Sequence, residues 1–143
     1  MAISFHFENV KKPTCFKPIP IKRWLKAVAK QENFSIQDLN YIFLTDEELL
    51  EINIEYLNHH TYTDIITFDN SEKNGKIESD IFVSLERVED NAKKFSTSYT
   101  DELYRVLVHG VLHLCGYKDK KKADQDKMRQ KENEALELLE QFL

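Results

Sequence analysis

The chain has 143 residues, which is the length of one domain and enough to bury a substantial core without disulfides. Its formal net charge of −5 gives no overall attraction for nucleic acid, so any RNA contact has to come from a local patch. No apolar run approaches the ~20 residues of a membrane span, the N-terminus does not resemble a signal peptide, and two isolated cysteines fit a reducing cytosol. We therefore expect a cytoplasmic single domain over residues 1–143 that contacts no membrane.

Hydrophobic periodicity predicts alternating strands and helices through the first two-thirds of the chain, followed by helices alone. The order β-α-β-α-β-β-α-α-α predicts an α+β domain, with a single twisted mixed four-stranded sheet packed with about five helices. The predicted strands cover 3–10, 39–44, 64–68 and 77–85, and the predicted helices cover 21–33, 46–58, 86–95, 98 to the glycine at 116, and 120–143.

Two helix starts carry an explicit signal in the sequence. Thr45 is followed three residues later by Glu48, and Ser98 is followed by Asp101, which are capping-box patterns. Apolar residues are spread around most of the helix over 46–58, so this helix is predicted to be mostly buried.

The most informative stretch is His-Gly-Val-Leu-His-Leu-Cys-Gly-Tyr-Lys-Asp at residues 109–119. Histidines four residues apart on a helix project from the same face, so His109 and His113 can reach one metal ion. Gly116 supplies the positive φ that suits a helix end. The chain can then turn back and bring Asp119 to the same ion, which predicts a zinc site.

Simpler interpretations compete with this one. A histidine on a helix is usually a hydrogen-bonded surface or core residue, and a lone glycine is only a helix stop. The zincin proteases read H-E-x-x-H, in which the glutamate is the general base. The corresponding position here is Gly110, so the ligand spacing is protease-like but the proteolytic base is missing.

Residues 109–119 resemble the signature H-G-x-L-H-L-x-G-Y-D-H of the YbeY family of bacterial rRNA-maturation endoribonucleases. Asn53-Ile54-Glu55-Tyr56 followed by 63–68 is similar to the family's N-x-x-Y-R…T-D-V-L-S-F segment, and 80–84 is similar to its G-D-I-x-I-S strand. The resemblance implies a zincin-like core. It also implies one Zn²⁺ per chain and single-strand-specific cleavage during maturation of the 3′ end of small-subunit (16S) rRNA, linked to ribosome quality control. Its implied partners are ribosomal RNA and the ribosome or small-subunit proteins, and no DNA.

The sequence departs from the family pattern at two positions. Asp119 stands where most of the family has histidine, which keeps a plausible zinc ligand but makes the ion a weaker Lewis acid and admits a harder metal. Leu57 stands where the family has an arginine thought to serve the substrate. The metal ligands therefore carry over more safely than the catalytic details.

Substrate contacts are predicted from charge and position. Four lysines flank the third ligand and form a candidate contact to the RNA backbone, although a solvated helix start would look the same. His59 lies in a polar loop that corresponds to the family's polar loop, so it is a candidate substrate contact, although loop histidines are usually solvated. Arg105 lies one turn before His109 and could replace the missing arginine, but an ion pair with Asp101 or Glu102 would also explain it. The four lysines are Lys118, Lys120, Lys121 and Lys122.

Three functions remain open on the sequence alone. The first is a metal-dependent endoribonuclease in which zinc keeps an open position for water or a phosphate oxygen. The second is a zincin-like metallopeptidase, which Gly110 disfavours. The third is a non-catalytic ribosome-assembly factor in which zinc only stabilises the fold.

Overall fold

The computed structural model describes residues 2–143, and within them the strands and helices follow the predicted order. The strands are β1 (Ile3–Phe7), β2 (Ser35–Leu44), β3 (Ile65–Asp69) and β4 (Lys76–Ser84), and the helices are α1 (Pro18–Gln31), α2 (Asp46–Leu57), α3 (Leu85–Lys94), α4 (Tyr99–Leu114) and α5 (Lys122–Leu139).

The four strands form one mixed sheet in the order β1-β2-β4-β3. β1, β2 and β4 run parallel, and the edge strand β3 runs antiparallel to β4. A short connection through Gly75, whose φ is +78°, links these two antiparallel strands. The predicted α+β domain with a mixed four-stranded sheet is confirmed.

Helix α4 is the centre of the main core. Its residues Leu103, Leu107 and Val111 are fully buried, and the carbonyl of Leu107 accepts a 2.7 Å hydrogen bond from the hydroxyl of Tyr41 on β2. Trp24 of α1 is also fully buried, and its indole N–H donates to the Ala135 carbonyl of α5 at 2.7 Å. These bonds satisfy polar groups in an apolar interior, and they tie α4 to β2 and α1 to α5.

The prediction that α2 is mostly buried was wrong. Leu49 packs with Leu44 and Ile66 in a second, smaller apolar cluster. Ile54 and Leu57 on the same helix are exposed. The helix therefore packs against the sheet by one side only, because apolar residues spread around a helix cannot all reach a single supporting layer.

Several predicted boundaries also move. α1 begins at Pro18 instead of 21, because proline is compatible with the first helical turn, where no intrahelical partner exists for its missing N–H. β2 begins at Ser35 instead of 39, because its exposed first residues pair with β4. β1 ends at Phe7, before Asn9 adopts a positive φ of 56°.

None of the helices within residues 2–143 combines the length and the apolar character that a bilayer crossing requires.

Candidate functional site

The end of α4 is a Schellman turn. The Tyr117 N–H donates to the Leu112 carbonyl at 3.1 Å, and the Gly116 N–H donates to the His113 carbonyl at 3.0 Å. Gly116 has φ +104°, which a residue with a side chain rarely adopts. The predicted reversal after the helix is present, and it carries the chain back toward Asp119.

His109 lies between two carboxylates from different parts of the chain. Its Nδ1 is 2.7 Å from Oε2 of Glu132 on α5, and its Nε2 is 3.2 Å from Oδ2 of Asp119. Glu132 is buried, whereas the Asp119 side chain is 42% exposed. A buried carboxylate therefore orients the ring from inside, and the other ring nitrogen faces a solvent-accessible partner.

His113 is oriented by the turn. Its Nδ1 is 3.1 Å from the carbonyl oxygen of Tyr117, which can only accept a hydrogen bond. The Nδ1 atoms of both histidines therefore carry a proton, and each Nε2 is left as the nitrogen that can bind a metal. Histidine ligands in metal sites are commonly fixed in this way by a carboxylate or a carbonyl.

We tested this arrangement as a metal site. The donor types, the fixed tautomers and the proximity of His109 to Asp119 fit a divalent cation that prefers nitrogen and oxygen ligands. Within residues 2–143, however, no three histidine, cysteine, aspartate or glutamate side chains are already gathered closely enough to hold an ion. The predicted three-ligand set of His109, His113 and Asp119 therefore stays a prediction.

Glu132 is held by a charged network. Arg105 donates to its Oε1 at 2.9 Å and also to Asn133 at 2.9 Å. Arg105 was expected to pair with Asp101 or Glu102 if it had no substrate role, but its ion-pair partner is Glu132, because its long side chain reaches across to α5. Arg105 therefore supports the carboxylate that orients His109.

The electrostatics of this pair follow from burial and hydrogen bonding. Burial alone raises the pKa of Glu132, but hydrogen bonds from His109 and Arg105 outweigh it and hold the pKa below its usual value. For His109 burial has the opposite effect and lowers the pKa. The hydrogen bond and charge of Glu132, together with the charges of Asp119 and Asp64, outweigh burial and raise the pKa of His109 overall. The two shifts favour an ionised Glu132 and a more basic His109 imidazole.

These residues open onto a cavity of about 650 Å³ between α2, β3, α3, α4 and α5. Asn53, buried on α2, donates from its side chain to the Thr61 carbonyl at 2.8 Å and so fixes the loop that forms one wall. The Asn91 side chain donates to Asp64 at 3.3 Å on the same wall. Burial raises the pKa of Asp64, and burial together with the charge of Asp64 raises the pKa of Glu102.

The predicted substrate residues divide between this cavity and the surrounding surface. His59, Arg105 and Lys120 line the cavity with His109, His113 and Asp119, and Leu57 lies on its wall. Of the remaining lysines, Lys118 and Lys121 line a depression beside Tyr117. Lys122 pairs with Asp126 at 2.8 Å and lines a second cleft that His109 and Asp119 also border.

Sequence reasoning missed Glu132, Asp64 and Arg129, although all three line the cavity. A signal for Glu132 was available. It lies four residues after Met128 and three before Ala135, so it occupies a position on the buried stripe of α5. A charged residue on a buried stripe requires a partner, and that requirement points to a site.

Comparisons with known proteins agree with this fold. Residues 6–140 match the family model described as Endoribonuclease YbeY. The Endoribonuclease YbeY of Cytophaga hutchinsonii is 56% identical over 82% of each chain. The protein of the same name from Parabacteroides distasonis is 45% identical over 97% of this chain and 96% of its own.

A solved structure is similar over almost the whole domain. It is the solution structure of TM1509 from Thermotoga maritima, with a TM-score of 0.67 and 27% identity, covering 96% of this chain and 88% of that one. The resemblance derived from residues 53–68, 80–84 and 109–119 is confirmed by these matches. This chain belongs to the Endoribonuclease YbeY family.

Proposed function

We propose that this protein is a zinc-dependent endoribonuclease that cleaves single-stranded RNA in the cavity beside His109. The observation that carries the proposal is the pair of imidazoles whose Nδ1 atoms are held by Glu132 and by the Tyr117 carbonyl. Both Nε2 atoms are thereby kept for one ion next to Asp119. The names of the relatives, Endoribonuclease YbeY, support phosphodiester cleavage as the reaction.

The residues have separable roles in this proposal. His109, His113 and Asp119 would hold one Zn²⁺, which when bound supplies Lewis-acid chemistry and activates water. Glu132 fixes the ring of His109 and Arg105 holds Glu132 in turn, so both are positioning residues. Lys120 and Arg129 line the cavity wall and are the proposed contacts to RNA phosphates, and Arg129 also lies 4.0 Å from Oε1 of Glu132.

Two observations argue against the alternative functions. A Cβ on Gly110 would lie 2.9 Å from Cδ1 of Ile81 and 3.2 Å from Cδ1 of Ile65, so this position faces the sheet and has no room for a peptidase base. The metal ligands line a wide cavity, which favours a catalytic ion over one that only stabilises the fold.

The biological substrate we propose is the 3′ end of small-subunit (16S) rRNA, within ribosome maturation and quality control in the cytoplasm. The partners would be ribosomal RNA and the ribosome or small-subunit proteins. The test is the length of the 3′ end of this RNA in cells that lack the protein and in cells that carry Asp119→Ala. We expect extended ends in both, and normal ends in both would rule out this role.

The biochemical test uses purified protein with labelled single-stranded RNA or casein, each with and without a chelator. We expect RNA cleavage that the chelator abolishes while the circular dichroism spectrum is retained. Asp119→Ala should lose bound zinc and RNA cleavage. Asp124→Asn removes a nearby carboxylate that lies outside the cavity, and it should keep both. Cleavage of casein but not RNA would instead establish the peptidase, and unfolding on chelation would establish a structural zinc.

Arg105→Ala distinguishes a direct role of Arg105 on RNA from its positioning role. A direct contact to RNA predicts weaker cleavage with unchanged zinc affinity. The ion pair with Glu132 predicts that zinc affinity falls as well. Unchanged zinc affinity and unchanged cleavage would retire both roles.

A further inference from the structure

Three of the seven large apolar side chains that are exposed in the described part of the chain lie at the cavity. Among those exposed within residues 2–143, Leu57, Tyr62 and Phe95 line the cavity, with exposed fractions of 43%, 46% and 56%. They come from three separate elements: the end of α2, the loop before β3 and the C-cap of α3. Exposed rings that converge on one cavity from different parts of the chain require an explanation beyond incomplete burial.

The ring of Tyr62 is anchored from outside the cavity. Its hydroxyl donates to Glu47 of α2, and the guanidinium of Arg87 on α3 lies 5.1 Å from its centroid. Tyr62 lines the cavity, whereas these two partners lie outside it. The ring is therefore held in place before any ligand arrives, which lowers the entropy lost when a flat group stacks on it.

Phe95 is positioned through its backbone. Its backbone N–H donates to the Asn91 carbonyl at 2.9 Å, and Ser96 follows with a left-handed φ of 55°, which fixes where the chain leaves α3. The ammonium of Lys94 lies 5.7 Å from the ring centroid and outside the cavity. Each ring thus combines a cavity-lining position with a cation beside it, which suits a base with its attached phosphate.

The charge of the cavity explains why rings are needed there. Apart from the proposed ion, its carboxylate side chains are at least as numerous as its cations, so the cavity is unlike the strongly basic grooves that bind RNA mainly through its backbone. In the described lining, the carboxylates are Asp64, Glu102, Asp119 and Glu132, and the cations are Arg105, Lys120 and Arg129.

We propose that Tyr62 and Phe95 are specificity-determining residues that stack on unpaired bases of single-stranded RNA bound in the cavity. This inference rests on the proposed function and identifies how the same site would recognise its substrate. Bases of a duplex are already stacked on each other and cannot reach these rings, so the two residues select single strands. Leu57 adds an apolar contact at the mouth.

The test is fluorescence anisotropy of a labelled oligouridylate, with a chelator present to prevent cleavage. The same measurement uses an abasic oligomer of equal length and a duplex. Tyr62→Ala and Phe95→Ala should each weaken oligouridylate binding roughly five- to a hundredfold, with little change for the abasic oligomer. Ile19→Ala removes an apolar side chain that is 72% exposed away from the cavity and should leave binding unchanged.

Tyr62→Phe and Phe95→Trp keep a ring at each position and should retain most of the wild-type affinity, which separates stacking from a folding defect. If wild type and both alanine variants bind oligouridylate and the abasic oligomer equally, the stacking role is wrong and the endoribonuclease proposal is unaffected. If the wild type binds neither the single-stranded oligomers nor the duplex, and does not cleave RNA when the chelator is left out, both proposals fail. Displacement of oligouridylate by casein peptides but not by unlabelled RNA would instead make the rings a peptide-binding surface.

Discussion

Nδ1 of His109 lies 2.7 Å from Oε2 of Glu132, a residue 23 positions later on a different helix. The carboxylate is buried and also accepts from Arg105, so it cannot follow the ring if the ring rotates. A charged group at this depth is stable only because both partners are present.

Glu132→Gln keeps the shape of the side chain and removes its charge, so it tests this relationship directly. We expect zinc affinity, measured by titration against a competing chelator, to fall about 10- to 100-fold, because the partner that orients His109 is weakened. Glu134→Gln on the exposed side of α5 is the matched control and should bind zinc normally. Equal affinities in the two variants would show that Glu132 does not support the metal.

Gly116→Ala should affect the site through the backbone. A residue with a Cβ at φ +104° is strained by about 1–2 kcal/mol, although the surrounding space is open. The Schellman turn would shift, and with it the Tyr117 carbonyl that orients His113. We expect a lower free energy of unfolding in urea and a lower zinc content. Cys115→Ala, one residue earlier on the same turn, should leave zinc content unchanged. A Gly116→Ala variant with wild-type stability and zinc content would contradict this account.

The capping box of α2 makes a pH-dependent contribution to stability. Hydrogen bonds from the Thr45 backbone and from Asn9 hold the pKa of Glu48 below its ordinary value of 4.5. A carboxylate with a lowered folded-state pKa stabilises the fold above its unfolded pKa and loses this contribution as pH falls through the folded pKa. Urea denaturation of wild type and Glu48→Gln should therefore differ near pH 7 and converge in acid. Glu51→Gln, exposed on the same helix, should show no such convergence, and a pH-independent difference for Glu48→Gln would be inconsistent with the capping box.

Gly110→Glu restores the glutamate of the zincin pattern and tests the peptidase alternative. Because this position faces Ile81 and Ile65, the new carboxylate would be forced against the sheet. We expect a loss of more than about 3 kcal/mol in unfolding free energy from overpacking and an unpaired charge, and no cleavage of casein. Thr100→Glu, on the exposed face of α4, should cost little. A stable Gly110→Glu protein that hydrolyses casein would reinstate the peptidase.

The sequence was sufficient for the parts of the fold that depend on local pattern. The capping box at Thr45 is present, with the Thr45 side chain accepting from the Glu48 N–H and the Glu48 side chain accepting from the Thr45 N–H. The turn at Gly116 was equally predictable, because glycine readily adopts the positive φ that ends a helix. The family resemblance was carried by short motifs, and the similarity of the whole chain to its relatives confirms it.

The rest of the site depends on contacts between residues that are distant in sequence. Glu132 looks like one charge among many on α5 until docking brings it to His109. The burial of α2 was overestimated. The apolar residues around this helix show which of its faces could be buried, but they do not show how many other elements pack against it. The cluster of lysines after Gly116 was treated as one surface, but a turn and a helix start send its members in different directions.

The dependence of His109 on Glu132 also sets an order of events during synthesis. α4 and the turn after it leave the ribosome before α5, and until α5 docks the ring lacks the carboxylate that fixes its tautomer. A growing chain that has passed residue 119 holds all three predicted ligands, yet its first histidine is not oriented. The proposed metal centre would therefore be complete only after α5 has been synthesised and has docked against α4.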